Sequence, residues 1–372
     1  MIFSIGRAPL LEALQKVQSV VEKKNTIQIL GNILCVLKKN EKGHELSLSS
    51  TDLEVGIKVS VPVECELEGK ITLSAKHFLD IVKELPEKKL KITQKENSWI
   101  EILCGKSRFN IVSLPADQYP SLPGFEDKTY FQAKTSSLIE MIDRTQFAAS
   151  TDATRYHING VYFECLENGL MRMTATDGHR LSFVDQEVFL KNPDLKRGVI
   201  IPKKGLHEFR KFLDESTETI GLSFERGYLF SKVKSSYLFI RLIDGEYPDY
   251  RPVIPKSADQ LLKVGRLELN SALKRVSLLA NEKSRGVKLT IQTNSLVISS
   301  SNPDMGEARE EIDVEYSGNP IEIGFNSKYL LESLSVMKAE KLEFHLKDRL
   351  SPGILRELDQ QNHTYVIMPM RI

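Results

Sequence analysis

Cysteine is scarce in this chain. Its 372 residues hold four, Cys35, Cys65, Cys104 and Cys165, with no C-x-x-C pair among them. That spacing argues against a zinc ribbon and offers no disulfide framework, so neither a metal nor a cofactor is expected. The four read as free thiols buried in strands, in a reducing cytoplasm. Long apolar runs are also missing: no stretch approaches the roughly 18 consecutive apolar residues of a membrane span. The first eleven residues carry only Arg7 as a charge before an amphipathic stretch, unlike a secretory signal. A cytoplasmic protein with no membrane partner is the expectation. An excess of one charge is absent too. The 51 Lys and Arg residues face 50 Asp and Glu, a net charge of +1. This excludes a uniformly cationic nucleic-acid coat but says nothing about where charges cluster.

What the chain does have is a repeat. Three strand-like segments end in a polar pair, at 46–52 (LSLSSTD), 171–177 (MRMTATD) and 296–302 (LVISSSN), 125 residues apart each time. One such segment is ordinary; equal spacing of three is a signal. An amphipathic helix precedes each, over 10–24, 137–150 and 269–285, with apolar residues at helical spacing. Asn270 is read as the N-cap of the third. A second helix follows each strand group. Lys76, Lys204 and Lys328 stand at the same place in those helices, and Pro202 fits a helix start. Short alternating strands come next, and each repeat ends near a Tyr: Tyr119, Tyr247 and Tyr365. The pattern predicts an α+β fold of three repeated domains, each with two helices packed on antiparallel sheets. Their bounds are placed at 1–124, 125–254 and 255–372, with Pro-containing linkers at both junctions.

Placing the charges on this frame changes their meaning. The helix windows 10–24, 74–85, 137–150, 202–213, 270–285 and 326–338 carry +7 together, which leaves −6 for the remainder. Lys and Arg are good helix formers, so some of this is solvated helix surface. The sharper reading is a set of basic helices facing a polyanion. No helix-turn-helix, zinc finger or ribonucleoprotein motif is present to read bases, so contact would be with phosphates and independent of sequence.

Six segments carry a resemblance. They are Ile29-Leu-Gly-Asn32 with Thr51-Asp-Leu-Glu54, Thr176-Asp-Gly-His-Arg-Leu181, Tyr247-Pro-Asp-Tyr-Arg251, Asn281-Glu-Lys-Ser-Arg-Gly286 and Tyr365-Val-Ile-Met-Pro-Met-Arg371. Together with the threefold repeat, they make the chain resemble, from end to end, the bacterial sliding clamps, the beta subunit of DNA polymerase III. The resemblance implies a head-to-tail dimer closing into a ring, with helices lining a hole for duplex DNA. It implies no catalysis. The ring would tether the replicative polymerase alpha subunit, other polymerases and repair proteins, and an ATP-driven clamp loader would place it on DNA.

Residue by residue, the resemblance implies DNA contacts at Lys24, Tyr156, Lys203 and Lys204. The repeat and the charge pattern add Lys76 and Lys274. His157 stands where relatives often carry a second Tyr. The resemblance also implies a groove for short linear peptides. Its walls would be Ile158, Thr176, Gly178, His179, Arg180, Leu181, Pro248, Val253, Val366, Ile367, Met368, Pro369, Met370 and Arg371. Met side chains adapt to varied partners, and the two Arg side chains suit peptide carbonyls or carboxylates. Pro252 replaces a basic residue of relatives. At the subunit contact, Phe109 and Ile111 on an edge strand would meet Leu278 and Leu279 on a helix of the partner; ordinary core packing is the plainer reading of these four.

Two other classes compete. An enzyme using Asp177 and His179 lacks a nucleophile elbow or metal-spaced ligands to go with them. Asp-Gly here is equally a tight turn. A monomeric scaffold that never encircles DNA is the third reading.

Overall fold

The computed structural model describes all residues except 22–26, 42, 126–127, 192, 194, 196, 256–258, 359 and 372. Lys24 therefore lies outside the described residues. The chain forms two compact units. Unit 1 comprises 1–135, 189–191 and 207–242; unit 2 comprises 136–188, 192–206 and 243–372. The middle third of the chain is thus shared between them.

The reason lies in strand pairing. In unit 1, eight antiparallel strands follow the order Phe131–Lys134, Thr219–Glu225, Tyr228–Val233, Ser236–Arg241, Val55–Pro62, Gly43–Thr51, Asn32–Asn40 and Gly69–Ser74. The Ser236–Arg241 strand pairs with Val55–Pro62, joining the middle repeat to the first in one sheet. Unit 2 repeats the device with the order Val199–Pro202, Gly160–Cys165, Met171–Thr176, Arg180–Gln186, His363–Ile367, Gly353–Glu357, Lys341–Leu346 and Gln260–Gly265. Here Arg180–Gln186 pairs with His363–Ile367 of the third repeat. A five-stranded sheet in unit 1 ends in the Ser107–Val112 strand, and a four-stranded sheet in unit 2 ends in Gly306–Asp313.

Six α-helices are described. They are α1 (Arg7–Gln18), α2 (Ala75–Glu84), α3 (Thr135–Thr145), α4 (Lys203–Phe212), α5 (Arg266–Val276) and α6 (Ser327–Val336). In α1 the buried face is Leu10, Ala13, Leu14 and Val17, at the spacing of one helical stripe. Ser74 caps α2, its hydroxyl accepting from the His77 N–H, and Asn326 caps α6 by accepting from Lys328. Lys76, Lys204 and Lys328 each take the second position of their helix, as the repeat implied. Asn270 is not an N-cap: α5 starts four residues earlier, after Gly265, because the chain leaves the Gln260–Gly265 strand directly into the helix. In unit 2, Leu269 and Leu273 of α5 join Phe325, Phe344 and Tyr365 in one fully buried cluster. Cys35 and Cys104 are buried free thiols, whereas Cys65 and Cys165 are only partly covered.

Candidate functional site

An apolar groove in unit 2 is built on the turn between the Met171–Thr176 and Arg180–Gln186 strands. The Thr176 hydroxyl donates to the Arg180 carbonyl at 2.6 Å and accepts from the Gly178 N–H at 3.1 Å. Asp177 Oδ1 accepts from the N–H groups of His179 and Arg180, at 3.0 and 3.1 Å. Gly178 has φ +89°, which glycine adopts without steric cost. Asp177 thus meets the backbone of His179, and its second oxygen holds the Arg180 guanidinium at 3.0 Å. The carboxylate is spent on the turn, and the His179 ring lies against Tyr329 instead. That arrangement leaves no Asp–His dyad for catalysis.

Arg180 is 7% exposed. Besides Asp177, its guanidinium donates to Glu332 at 2.5 Å and to the Phe147 carbonyl at 2.8 Å, and it lies 4.5 Å from the centre of the Tyr329 ring. Burial disfavours the cation, but Tyr365, Glu332 and Asp177 outweigh it and raise the pKa. Arg180 is therefore a fixed charge in the groove wall, with three of its five N–H donors already engaged.

Beside this turn lies a groove of about 400 Å³. Its sides include Ile158, Leu181 and Val366, with Thr176, Gly178 and Arg180 at the turn and Pro248, Val253 and Met368 opposite. Ile158, Leu181 and Val366 are buried, whereas Val253 and Met368 are 44% and 38% exposed. Ile367 does not face the groove. Successive strand residues point to opposite faces, so Val366 lines the groove while Ile367 enters the unit 2 core. His179 meets the tail through its backbone, the Met368 N–H donating to its carbonyl at 2.9 Å. Beyond Met368 the chain turns away, and the Met370 N–H donates to the Gly324 carbonyl. His179, Pro369, Met370 and Arg371 are thus absent from the lining.

Four lining residues were not anticipated there: Arg155, His157, Asp249 and Tyr250. Tyr250 had a signal, since it sits inside the Tyr247–Arg251 segment. Its hydroxyl donates to Glu164 at 2.5 Å and accepts from Arg172 at 3.3 Å, while Arg172 grips Asp185 through two bonds of 2.6 Å. Two charged side chains thus hold one groove wall. A cleft with an apolar floor and a few fixed polar groups is the usual form of a ligand site.

Three family models cover the chain. The DNA polymerase III beta subunit N-terminal, central and C-terminal domains match residues 1–123, 132–249 and 251–371. The chain belongs to the DNA polymerase III beta subunit family, the bacterial sliding clamps. It is 37% identical to the beta sliding clamp of Pseudomonas aeruginosa and 35% to that of Escherichia coli K12, each over the full length of both chains. A crystal structure of the Pseudomonas aeruginosa subunit superposes with a TM-score of 0.94 at 36% identity, covering both chains completely. The Caulobacter crescentus protein gives 0.92 at 34%, with the same coverage. This clamp is a non-catalytic DNA sliding clamp that confers processivity on the polymerase.

The candidate DNA contacts of the clamp differ among themselves. Lys76, Lys204 and Lys274 are exposed on α2, α4 and α5, and Tyr156 is 58% exposed in a 3-10 turn over Ala153–Ile158. Lys203 is half-buried, and its ammonium donates to the Ala149 carbonyl at 2.9 Å. Burial, with Arg180 nearby, lowers its pKa. Lys203 is therefore tied to its own fold. At the candidate subunit contact, Phe109 lies 38% exposed on the edge strand Ser107–Val112, with Ile111 partly covered on the same strand. Leu278 is 73% exposed and Leu279 partly covered. These two sit not on α5 but in the 3-10 turn Ser277–Leu279 that follows it. The exposure of Phe109 and Leu278 rules out plain core packing for them.

Proposed function

We propose that this clamp works as a head-to-tail homodimer whose closed ring encircles duplex DNA, and that its groove takes short linear peptides. The peptides would come from the polymerase alpha subunit, other polymerases and repair proteins, and an ATP-driven clamp loader would open the ring. The apolar groove with a fixed Arg180 in its wall carries this reading, because it offers side-chain pockets beside a rigid turn. Each chain would contribute three clamp domains, 1–124, 125–254 and 255–372. Phe109 and Ile111 of one protomer would meet Leu278 and Leu279 of its partner, and repeating a heterologous contact twice closes a ring. Lys24, Lys76, Tyr156, Lys204 and Lys274 would face the DNA. Lys203 would serve mainly by positioning the start of α4. The ring holds DNA by topology, so its phosphate contacts need only be weak and numerous, which permits sliding. The protein would be cytoplasmic and join the nucleoid during replication.

One experiment tests the ring. The clamp is loaded onto nicked circular DNA, and the circle is then cut once. Retention on the circle in moderate salt and loss from the linear ends is the expected result. Equal retention on both forms, lost only by raising salt, would show a purely electrostatic binder or an open scaffold.

A further inference from the structure

The turn at the groove has a twin. In unit 1 the Thr51 hydroxyl donates to the Val55 carbonyl at 2.7 Å and accepts from the Leu53 N–H, while Asp52 Oδ1 accepts from the N–H groups of Glu54 and Val55. This is the bonding of Thr176, Asp177 and Gly178 shifted by 125 residues. Even the backbone agrees: Leu53 has φ +78° where Gly178 has +89°. Strand registers extend the correspondence. Leu181 opposes Val366, which opposes Ile354; Gly56 opposes Phe239, which opposes Phe230. The wall segments match as well, since Tyr119, Leu122 and Phe125 precede Tyr247, Tyr250 and Val253 by 128 residues. Phe125 is therefore the counterpart of Val253.

In unit 2 this arrangement is open. In unit 1 it is full. The Phe239 ring lies on Gly56 so closely that a Cβ there would fall 2.2 Å from it. The Phe125 ring sits 5.1 Å from Tyr237 and 6.0 Å from Phe230, and is only 7% exposed. Polar anchors flank it. Tyr130 donates to the Phe125 carbonyl at 3.1 Å, and the Lys128 ammonium pairs with Glu225 at 3.2 Å while lying 4.0 Å from the centre of the Phe230 ring.

We propose that unit 1 contains a second groove of the same design, occupied by the chain's own Phe125. The inference rests on reading the open groove as a peptide site. Phe125 acts there as an internal ligand, an aromatic side chain in an apolar pocket. The chain thereby keeps one groove free for partners, and the ligand class of the closed one is an apolar peptide bearing an aromatic ring.

Reciprocal variants test this, read by methyl NMR on the full-length protein. Phe125→Ala should gain a saturable site for N-acetyl-L-phenylalanine amide, with shifts at Leu53 and Leu122 that the native chain does not show. If Phe125→Ala fails to fold, Phe125→Val installs the residue of the open groove and should gain the same site. Val253→Phe should plug the open groove and weaken peptides tiled from the polymerase alpha subunit at least tenfold. A folded Phe125 variant with no new site, or a Val253→Phe variant of native affinity, overturns the proposal. Failure of every tiled peptide to shift Val366 or Met368 in the native chain would instead sink the reading of the open groove.

Discussion

Single residues in this clamp are positioned by charge as much as by packing. The clearest case is a buried cluster in unit 2. Arg144 and Glu357 are 3% and 1% exposed and form an ion pair of 2.6 Å, with Glu140 3.1 Å from the same guanidinium. Glu357 also accepts from the N–H groups of Lys338 and Ala339. Burial would raise its pKa, but these two N–H donors and Arg144 hold it below the usual value. Arg144→Met leaves that carboxylate without its counter-charge and should cost about 3–5 kcal/mol, read as a lower unfolding midpoint. His363 lies beside the pair. Burial, with the Arg144 cation, holds its pKa down at about 3 against an ordinary 6.5. The unfolded imidazole therefore takes up a proton at a pH where the folded one stays neutral. Stability is fully present above pH 6.5 and should fall as the pH drops toward 3, and His363→Gln should flatten that decline in denaturant titrations. None of these three residues stood out in the sequence, because Arg144 lies more than 200 residues before Glu357 and His363 and shares no pattern with them until the fold brings its helix against their strands. The Thr176–Leu181 turn was legible, since Asp-Gly announces its own geometry. Where Arg180 points was not.

Among elements, the carboxy-terminal strand has two duties. Residues His363–Ile367 complete the eight-stranded sheet of unit 2, and the tail after them borders the groove through Met368. Deleting 368–372 should abolish stimulation of the polymerase in primer extension while leaving the dimer intact in sedimentation. Loss of the dimer would overturn that division. In the proposed dimer, the edge elements would serve assembly. Leu278→Asp places a charge on a 73%-exposed leucine, so it should leave the monomer folded but prevent pairing. Native mass measurement should then find monomers, and an unchanged dimer would place the contact elsewhere. Helix existence was readable from apolar spacing, as in α1. Helix starts were less so: Asn270 has the chemistry of a cap, but the exit from the preceding strand decided where α5 begins.

At the scale of the whole molecule, a net charge of +1 hides a division. The six helix windows carry +7, and the exposed lysines of α2, α4 and α5 belong to that excess. Retention on a DNA circle should therefore change little in moderate salt, since topology holds the ring, whereas encounter with DNA should slow as salt screens the helices. A loss of circle-bound clamp that simply tracks ionic strength would contradict it. Strand pairing also redraws the molecule's parts. Three repeats are visible along the chain, yet it packs as two units because the middle repeat lends strands to both neighbours.

The sequence by itself determined the threefold repeat, the α+β class, the family and the turn at the groove. These depend on local spacing, on hydrogen bonds between near neighbours, or on ordered segments that a one-dimensional pattern retains. Only the tertiary structure decided that Ile367 turns inward while Val366 lines the groove, that Lys203 is tied to Ala149, and that Phe125 fills the place Val253 leaves open. Each of those depends on which residue stands opposite across a sheet or against a neighbouring element. Strand register and side-chain volume settle that, and neither is written in the spacing of the chain.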